Sequence, residues 1–130
     1  MKTTGLLNAE LNKHLSLLAH TDLFVVADSG FPVAPGIPVV DLRLVYGVPR
    51  FDQVLAAVLA EVTVEHAVLA TEMGGANAAN HDVVTATGIP IEHVSHEELK
   101  KRAGSARFVV RTGEDTPYAN VLLTSGVAFL

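Results

Sequence analysis

Two unbroken apolar runs, Leu23-Phe24-Val25-Val26-Ala27 and Ala67-Val68-Leu69-Ala70, constrain this chain more than anything else in it. A strand with one wet face alternates apolar and polar residues, whereas a strand covered on both faces reads as continuously apolar, as in a parallel sheet sandwiched between other layers. Phe108-Val109-Val110 and Val121-Leu122-Leu123 have the same character. Between the first two runs lies the clearest helix: Phe51, Val54, Leu55, Val58, Leu59 and Val62 recur at helical spacing and make one continuous apolar face. Strands alternating with helices imply a single three-layer α/β domain, residues 1–130, with a central and mainly parallel sheet.

The remaining segments fit that frame. Asn8 is placed to cap a helix through Ala19, with Leu11, Leu15 and Leu18 on one stripe. Pro32, Pro35, Gly36 and Pro38 make an irregular loop, and Val39 to Leu44 alternates in part, as a more exposed strand does. A weak helix is expected near 76–87 and a strand over Ile89–Val94, with Pro90 at its beginning. Ser95 and Glu98 have the spacing of a capping box, and that helix ends at Gly104 after Lys100, Lys101 and Arg102. Ligands of such sheets gather at the carboxyl ends of the strands. That rule points to Asp28, the Met73-Gly74 turn, Thr112-Gly113 and the loop before Asn120.

Composition removes several functions. Nine Lys+Arg against fourteen Asp+Glu, a net charge of −5, argue against binding nucleic acid or an anionic membrane through clustered cations. With no cysteine there is no disulfide, thiolate metal site, iron–sulfur cluster or Cys nucleophile. The longest apolar run, Val54 to Ala60, is far short of the ~20 residues of a membrane span, and Met1-Lys2-Thr3-Thr4-Gly5 does not open a signal peptide. A soluble, cytoplasmic protein is expected. Its mean hydropathy of +0.37 is high for a small monomer and suggests apolar surface shared between subunits.

Five features carry candidate chemistry. His20 ends the first helix, where the dipole favours an imidazolium suited to acid–base work; it would serve equally as a cap on helix carbonyls. Asp28 closes a buried strand and is placed either to accept sugar hydroxyls or to satisfy the Ser29-Gly30 backbone. His96 starts a helix three residues after His93, a spacing that lacks a third metal ligand; it is a ligand donor or a solvated surface group. Met73-Gly74-Gly75-Ala76-Asn77 joins strand to helix but has neither nucleotide-binding glycine pattern. Between two apolar strands, Arg111 to Asn120 is crowded with hydrogen-bonding groups, and Tyr118 and Asn120 offer an aromatic plane beside polar atoms, the surface a sugar ring requires. A Pro-anchored turn is the plainer account of the same residues.

Taken in order, Leu7-Asn8, Ala19-His20-Thr21-Asp22, Ala27-Asp28-Ser29-Gly30-Phe31-Pro32, Tyr46-Gly47-Val48-Pro49, Ser95-His96-Glu97-Glu98-Leu99-Lys100 and Arg111-Thr112-Gly113-Glu114-Asp115-Thr116-Pro117-Tyr118-Ala119-Asn120 resemble the D-ribose pyranase family, whose close relatives are the L-fucose mutarotases. The resemblance implies a cofactor-independent and metal-independent isomerase that interconverts pyranose and furanose forms of free D-ribose. It implies His20 as proton donor, with Asp28, His96, Tyr118 and Asn120 binding the sugar and Ala119 contributing through its backbone. It also implies a ring-shaped homo-oligomer, typically a decamer, with the site near a subunit boundary.

The chemistry is consistent on its own terms. Opening a cyclic hemiacetal needs a proton on the ring oxygen and loss of one from the anomeric hydroxyl, and reclosure through another hydroxyl changes ring size. His20 would protonate the ring oxygen while Asp28 orients the sugar or the imidazole. Two other readings compete: a mutarotase of another sugar such as L-fucose, and a non-catalytic sugar-binding accessory protein with no use for an ionisable His20.

Overall fold

In the computed structural model, which describes residues 1–129, the chain runs α1 (Ala9–Ser16), β1 (Leu23–Ala27), β2 (Val39–Asp41), α2 (Phe51–Leu59), β3 (Val64–Ala70), α3 (Met73–Ala76), α4 (Ala78–Thr85), β4 (Ile91–Val94), α5 (His96–Ala103), β5 (Val109–Arg111) and β6 (Val121–Ser125). The six strands form one sheet in the order β2-β5-β1-β6-β3-β4. Neighbours β2/β5, β5/β1 and β3/β4 are parallel, and only β6 is reversed, antiparallel to both β1 and β3. The mainly parallel sheet expected from the apolar runs is therefore present.

The pleat explains why those runs are continuous. Phe24 and Val26 of β1, Ala67 and Leu69 of β3, and Val121 and Leu123 of β6 face a core built with Leu11 and Leu15 of α1, Phe51, Val54, Leu55 and Val58 of α2, and Val84 of α4. The alternate residues Val25, Ala27, Val68, Ala70 and Leu122 face Leu99 and Ala103 of α5 and Phe31 of the Pro-rich loop. The side chains of Phe24–Ala27, Ala67–Ala70 and Val121–Leu123 thus leave water on both faces, at about 1.5–3 kcal/mol for each large one.

Several boundaries and caps differ from expectation; β4, for one, begins at Ile91, after Pro90 rather than before it. Helix α1 has its Asn8 cap, whose side chain accepts from Leu11 N at 2.9 Å, but it stops at Ser16 rather than Ala19. Leu17 and Leu18 donate three residues back, to His14 and Leu15, and Thr21 at φ 71° turns the chain into β1. Strand β2 ends at Asp41 because Arg43 folds back on that carboxylate, with its amide at 3.0 Å and Nε at 2.9 Å. The weak helix expected near 76–87 is α4, which starts at Ala78 because the Asn77 side chain caps it, and the Met73-Gly74-Gly75 turn before it is itself the short helix α3. At Ser95 only half of the capping box forms: Ser95 Oγ accepts from Glu98 N, whereas the Glu98 carboxylate pairs with Arg102 at 3.1 Å. The reciprocal arm appears at α2, where Gln53 Oε1 accepts from Arg50 N at 2.8 Å.

Candidate active site

The site begins with strand direction. Asp28 follows the last residue of β1, and Asn120 precedes the first residue of the reversed β6, so both lie at one edge of the sheet although 92 positions apart. They grip each other reciprocally: Asp28 N donates to Asn120 Oδ1 at 2.8 Å, and Asn120 Nδ2 donates to Asp28 Oδ2 at 3.2 Å. Gly30 N donates to the other Asp28 oxygen at 3.0 Å, an Asx turn that realises the plain reading of this residue alongside the functional one. Burial pushes the Asp28 carboxyl above its ordinary value, and the bonds from Gly30 and Asn120 oppose this only in part. Asn120 and Ala119 are fully buried beneath it.

At the same edge, β4 delivers His96 at the start of α5. Tyr118 meets the His96 ring nearly edge-on, with centroids 5.1 Å apart at 81°, and Phe31 approaches at 6.4 Å and 78°. His96 N is held by both oxygens of Glu72, at 3.1 and 3.2 Å. Its Nδ1 is buried and unpaired, one of two such side-chain atoms among the described residues, and a ligand hydroxyl would satisfy it. Tyr118 itself holds φ 60°, uncommon for an aromatic residue. The structure therefore brings Asp28, His96, Tyr118, Ala119 and Asn120 together: a partly buried carboxylate, two hydrogen-bonding side chains and an aromatic edge.

A buried polar layer supports them. Thr112 Oγ1 donates to Ala27 O at 2.8 Å, and Glu114 O accepts from Ser29 N at 2.9 Å, next to Asp28. The Glu114 side chain, 3% exposed, accepts from Phe51 N at the start of α2 and from Thr116 Oγ1. A Cβ at Gly113 would lie 2.5 Å from Val48 O, so any larger residue there requires a backbone shift. Reading by residue type missed Glu114, Thr116 and Asn77 as site-building groups, because a lone acid or amide in a loop carries no signal until its partner is known.

His20 lies elsewhere. It precedes β1, so the five residues of that strand, about 17 Å at ~3.3 Å each, separate it from Asp28. Its Nε2 pairs with Glu65 Oε2 at 3.1 Å, both side chains about half exposed, so the carboxylate on this imidazole is Glu65 rather than Asp28. It borders an open groove of about 450 Å³ lined by Leu15, Leu18, Val62, Ser125 and Phe129. His93 turns from His96 to His81, Nε2 to Nε2 at 2.9 Å, and no group of three metal-ligating side chains occurs among the described residues.

The fold and this cluster define an α/β protein in which hydrogen-bonding side chains and one carboxylate meet aromatic edges at the strand ends. The chain belongs to the RbsD / FucU transport protein family, whose profile matches residues 1–128. It is 48% identical over 129 residues to D-ribose pyranase 1 of Rubrobacter xylanophilus and 45% identical over 129 residues to the D-ribose pyranase of Halalkalibacterium halodurans, covering 99% of this chain and all of each relative. Bacillus subtilis RbsD, solved in complex with D-ribose, superposes with a TM-score of 0.95 at 42% identity, covering 99% of this chain and 100% of that one.

Proposed function

We propose that this protein is a cytoplasmic isomerase interconverting the pyranose and furanose forms of free D-ribose. The observation that carries the reading is the Asp28–Asn120 clasp roofed by His96 and Tyr118, in a chain 45–48% identical over its length to D-ribose pyranases. Asp28 accepts from sugar hydroxyls, His96 Nδ1 and Tyr118 pair with others, and buried Asn120 and Ala119 hold the floor.

The reaction needs only proton movement. His20 as imidazolium gives its proton to the ring oxygen while the C1–O bond breaks, and the anomeric hydroxyl loses its proton to a water as the carbonyl forms. Attack on C1 by the C4 hydroxyl then closes the five-membered ring; the C4 hydroxyl proton passes to the neutral His20 and restores its imidazolium, while the proton taken up by the water returns to the former carbonyl oxygen. Every atom and electron pair balances within the sugar and its proton donors, and one positioned acid–base group contributes about 10²–10⁴-fold.

His20 and the clasp lie at opposite edges of the sheet, which supports a site completed by a second copy of the chain. A contact between two different edges is heterologous and builds a ring where its rotation closes, in keeping with a homo-oligomer, a decamer in this reading. Exposed Leu44, Val45, Tyr46 and Val48, beside Ser29 and Asp41, offer apolar surface for it.

Saturation-transfer NMR between the pyranose and furanose signals of D-ribose tests the proposal. Wild type accelerates exchange, while His20→Ala and Asn120→Ala each abolish it. Dissociated and reassembled together, the two inactive variants regain part of the activity, because some sites receive both intact edges. Absence of wild-type acceleration refutes the enzyme; absence of rescue refutes the shared site.

A further inference from the structure

We infer that Asn77, from the glycine-rich turn with no nucleotide-binding pattern, is a positioning residue that sets the backbone of Tyr118 for sugar binding. This rests on the site reading above and extends it to a residue whose polar side-chain atoms all bond within the protein.

Asn77 is 8% exposed. Its Nδ2 donates to Thr116 Oγ1 at 2.8 Å and to Pro117 O at 2.9 Å. Asn80 Nδ2 donates to the same Thr116 hydroxyl at 3.2 Å, and that hydroxyl in turn donates to Glu114 Oε2 at 2.8 Å. The Thr116 hydroxyl is thereby saturated, with two bonds accepted and one given. The Pro117 carbonyl belongs to the same rigid peptide plane as the Tyr118 N–H. Clamping that oxygen orients the plane and with it φ of Tyr118, which stands at 60°. Bulky L-residues avoid this region unless their surroundings impose it, and such conformations cluster at binding sites. Here the imposing groups are Asn77 on one side and the bond from Asn120 N to Tyr118 O, at 2.9 Å, on the other. The result is the Tyr118 ring edge-on to His96.

Asn77 has a second, separable task. Its Oδ1 accepts from Asn80 N as the cap of α4. Serine at this position still caps a helix but is too short to reach Pro117, whereas alanine loses both functions. The two roles therefore predict different patterns across the same pair of variants.

The experiment measures D-ribose affinity by NMR titration, exchange rates by saturation transfer, and stability by urea unfolding. It uses wild type, Asn77→Ser, Asn77→Ala, Tyr118→Ala and the Asn77→Ser/Tyr118→Ala double variant. Asn77→Ser and Asn77→Ala are expected to weaken ribose binding equally, about tenfold, with the rate at saturation within about twofold of wild type, although Asn77→Ala is the less stable. In the Tyr118→Ala background, Asn77→Ser is expected to change affinity less than twofold, since the side chain through which it acts is gone. Affinity that follows stability across the variants, or equal effects of Asn77→Ser with and without Tyr118, would overturn the inference. Ribose binding by wild type without accelerated exchange refutes the isomerase alone and leaves the affinities to decide on Asn77. Absence of ribose binding by wild type refutes both.

Discussion

Replacing Glu114 by Gln tests whether the site is supported by a buried charge or only by shape. The side chain is 3% exposed and makes three contacts: Oε1 accepts from Phe51 N at 3.0 Å, and Oε2 accepts from Thr116 Oγ1 at 2.8 Å and from Arg50 Nη1 at 3.2 Å. Burial alone would raise its carboxyl, but the Phe51 amide, the Thr116 hydroxyl and the Arg50 guanidinium outweigh it and leave the group below its ordinary value. Glutamine retains one oxygen for Phe51 N and turns an amide toward the other two partners. Thr116 Oγ1 already accepts from Asn77 and Asn80, so a third donor leaves its own proton unmatched. Loss of a buried bond to a charged acceptor costs about 1.5–3 kcal/mol, and the half-exposed Arg50 adds at most ~1 kcal/mol. The total is about 2–3 kcal/mol, or roughly a 10 °C fall in melting temperature for a domain of this size. Because the folded-state pKa is depressed, this stability is present above the unfolded carboxylate value of ~4.3 and is lost as pH falls through the lower folded value. Urea unfolding followed by circular dichroism from pH 7 to pH 3 should show a gap that closes on acidification. A gap below ~0.5 kcal/mol at pH 7, or one that does not change with pH, refutes the charge argument.

Asp28→Asn sets an amide against Asn120 Nδ2, donor facing donor, so ribose affinity should fall at least about tenfold by NMR titration. The raised Asp28 carboxyl costs wild type stability as pH rises from its unfolded value near 3.9 through the folded one, so the variant should gain on wild type over that window in urea unfolding. Gly113→Ala drives a Cβ to 2.5 Å from Val48 O, and a shift of the backbone at 47–49 should cost about 1–3 kcal/mol by the same assay. Tyr46→Asp, at a side chain 79% exposed on an apolar loop, should dissociate the assembly in sedimentation while circular dichroism stays unchanged. An intact oligomer would remove that loop from the proposed interface.

Much of the scaffold was legible before folding because it rests on short-range chemistry. Continuous apolar runs became β1, β3 and β6, helical spacing from Phe51 became α2, and Asn8 and Gly104 bounded their helices as side-chain cap and stop. Boundaries failed where a distant or competing partner intervened, as when Arg43 closed β2 and Arg102 took Glu98 from its capping box. Of the site, Asp28, His96, Tyr118, Ala119 and Asn120 were visible from strand ends, polar crowding and family resemblance, and they do converge. Asn77, Thr116 and Glu114 were not, since their role consists entirely of bonds to one another and to segments up to 64 positions away.

By itself, the order of apolar and helical segments determined a covered, mainly parallel sheet and located the polar groups at its strand ends, because periodicity and caps act over a few residues. Only the tertiary structure decided that β6 runs against its neighbours, and that reversal is what carries Asn120 back to Asp28. It also put His20 and Glu65 at the far edge of the sheet, away from the groups His20 was expected to serve. Which edge a side chain occupies depends on strand order and direction, long-range choices made by packing the whole core, and no local run of residues encodes them.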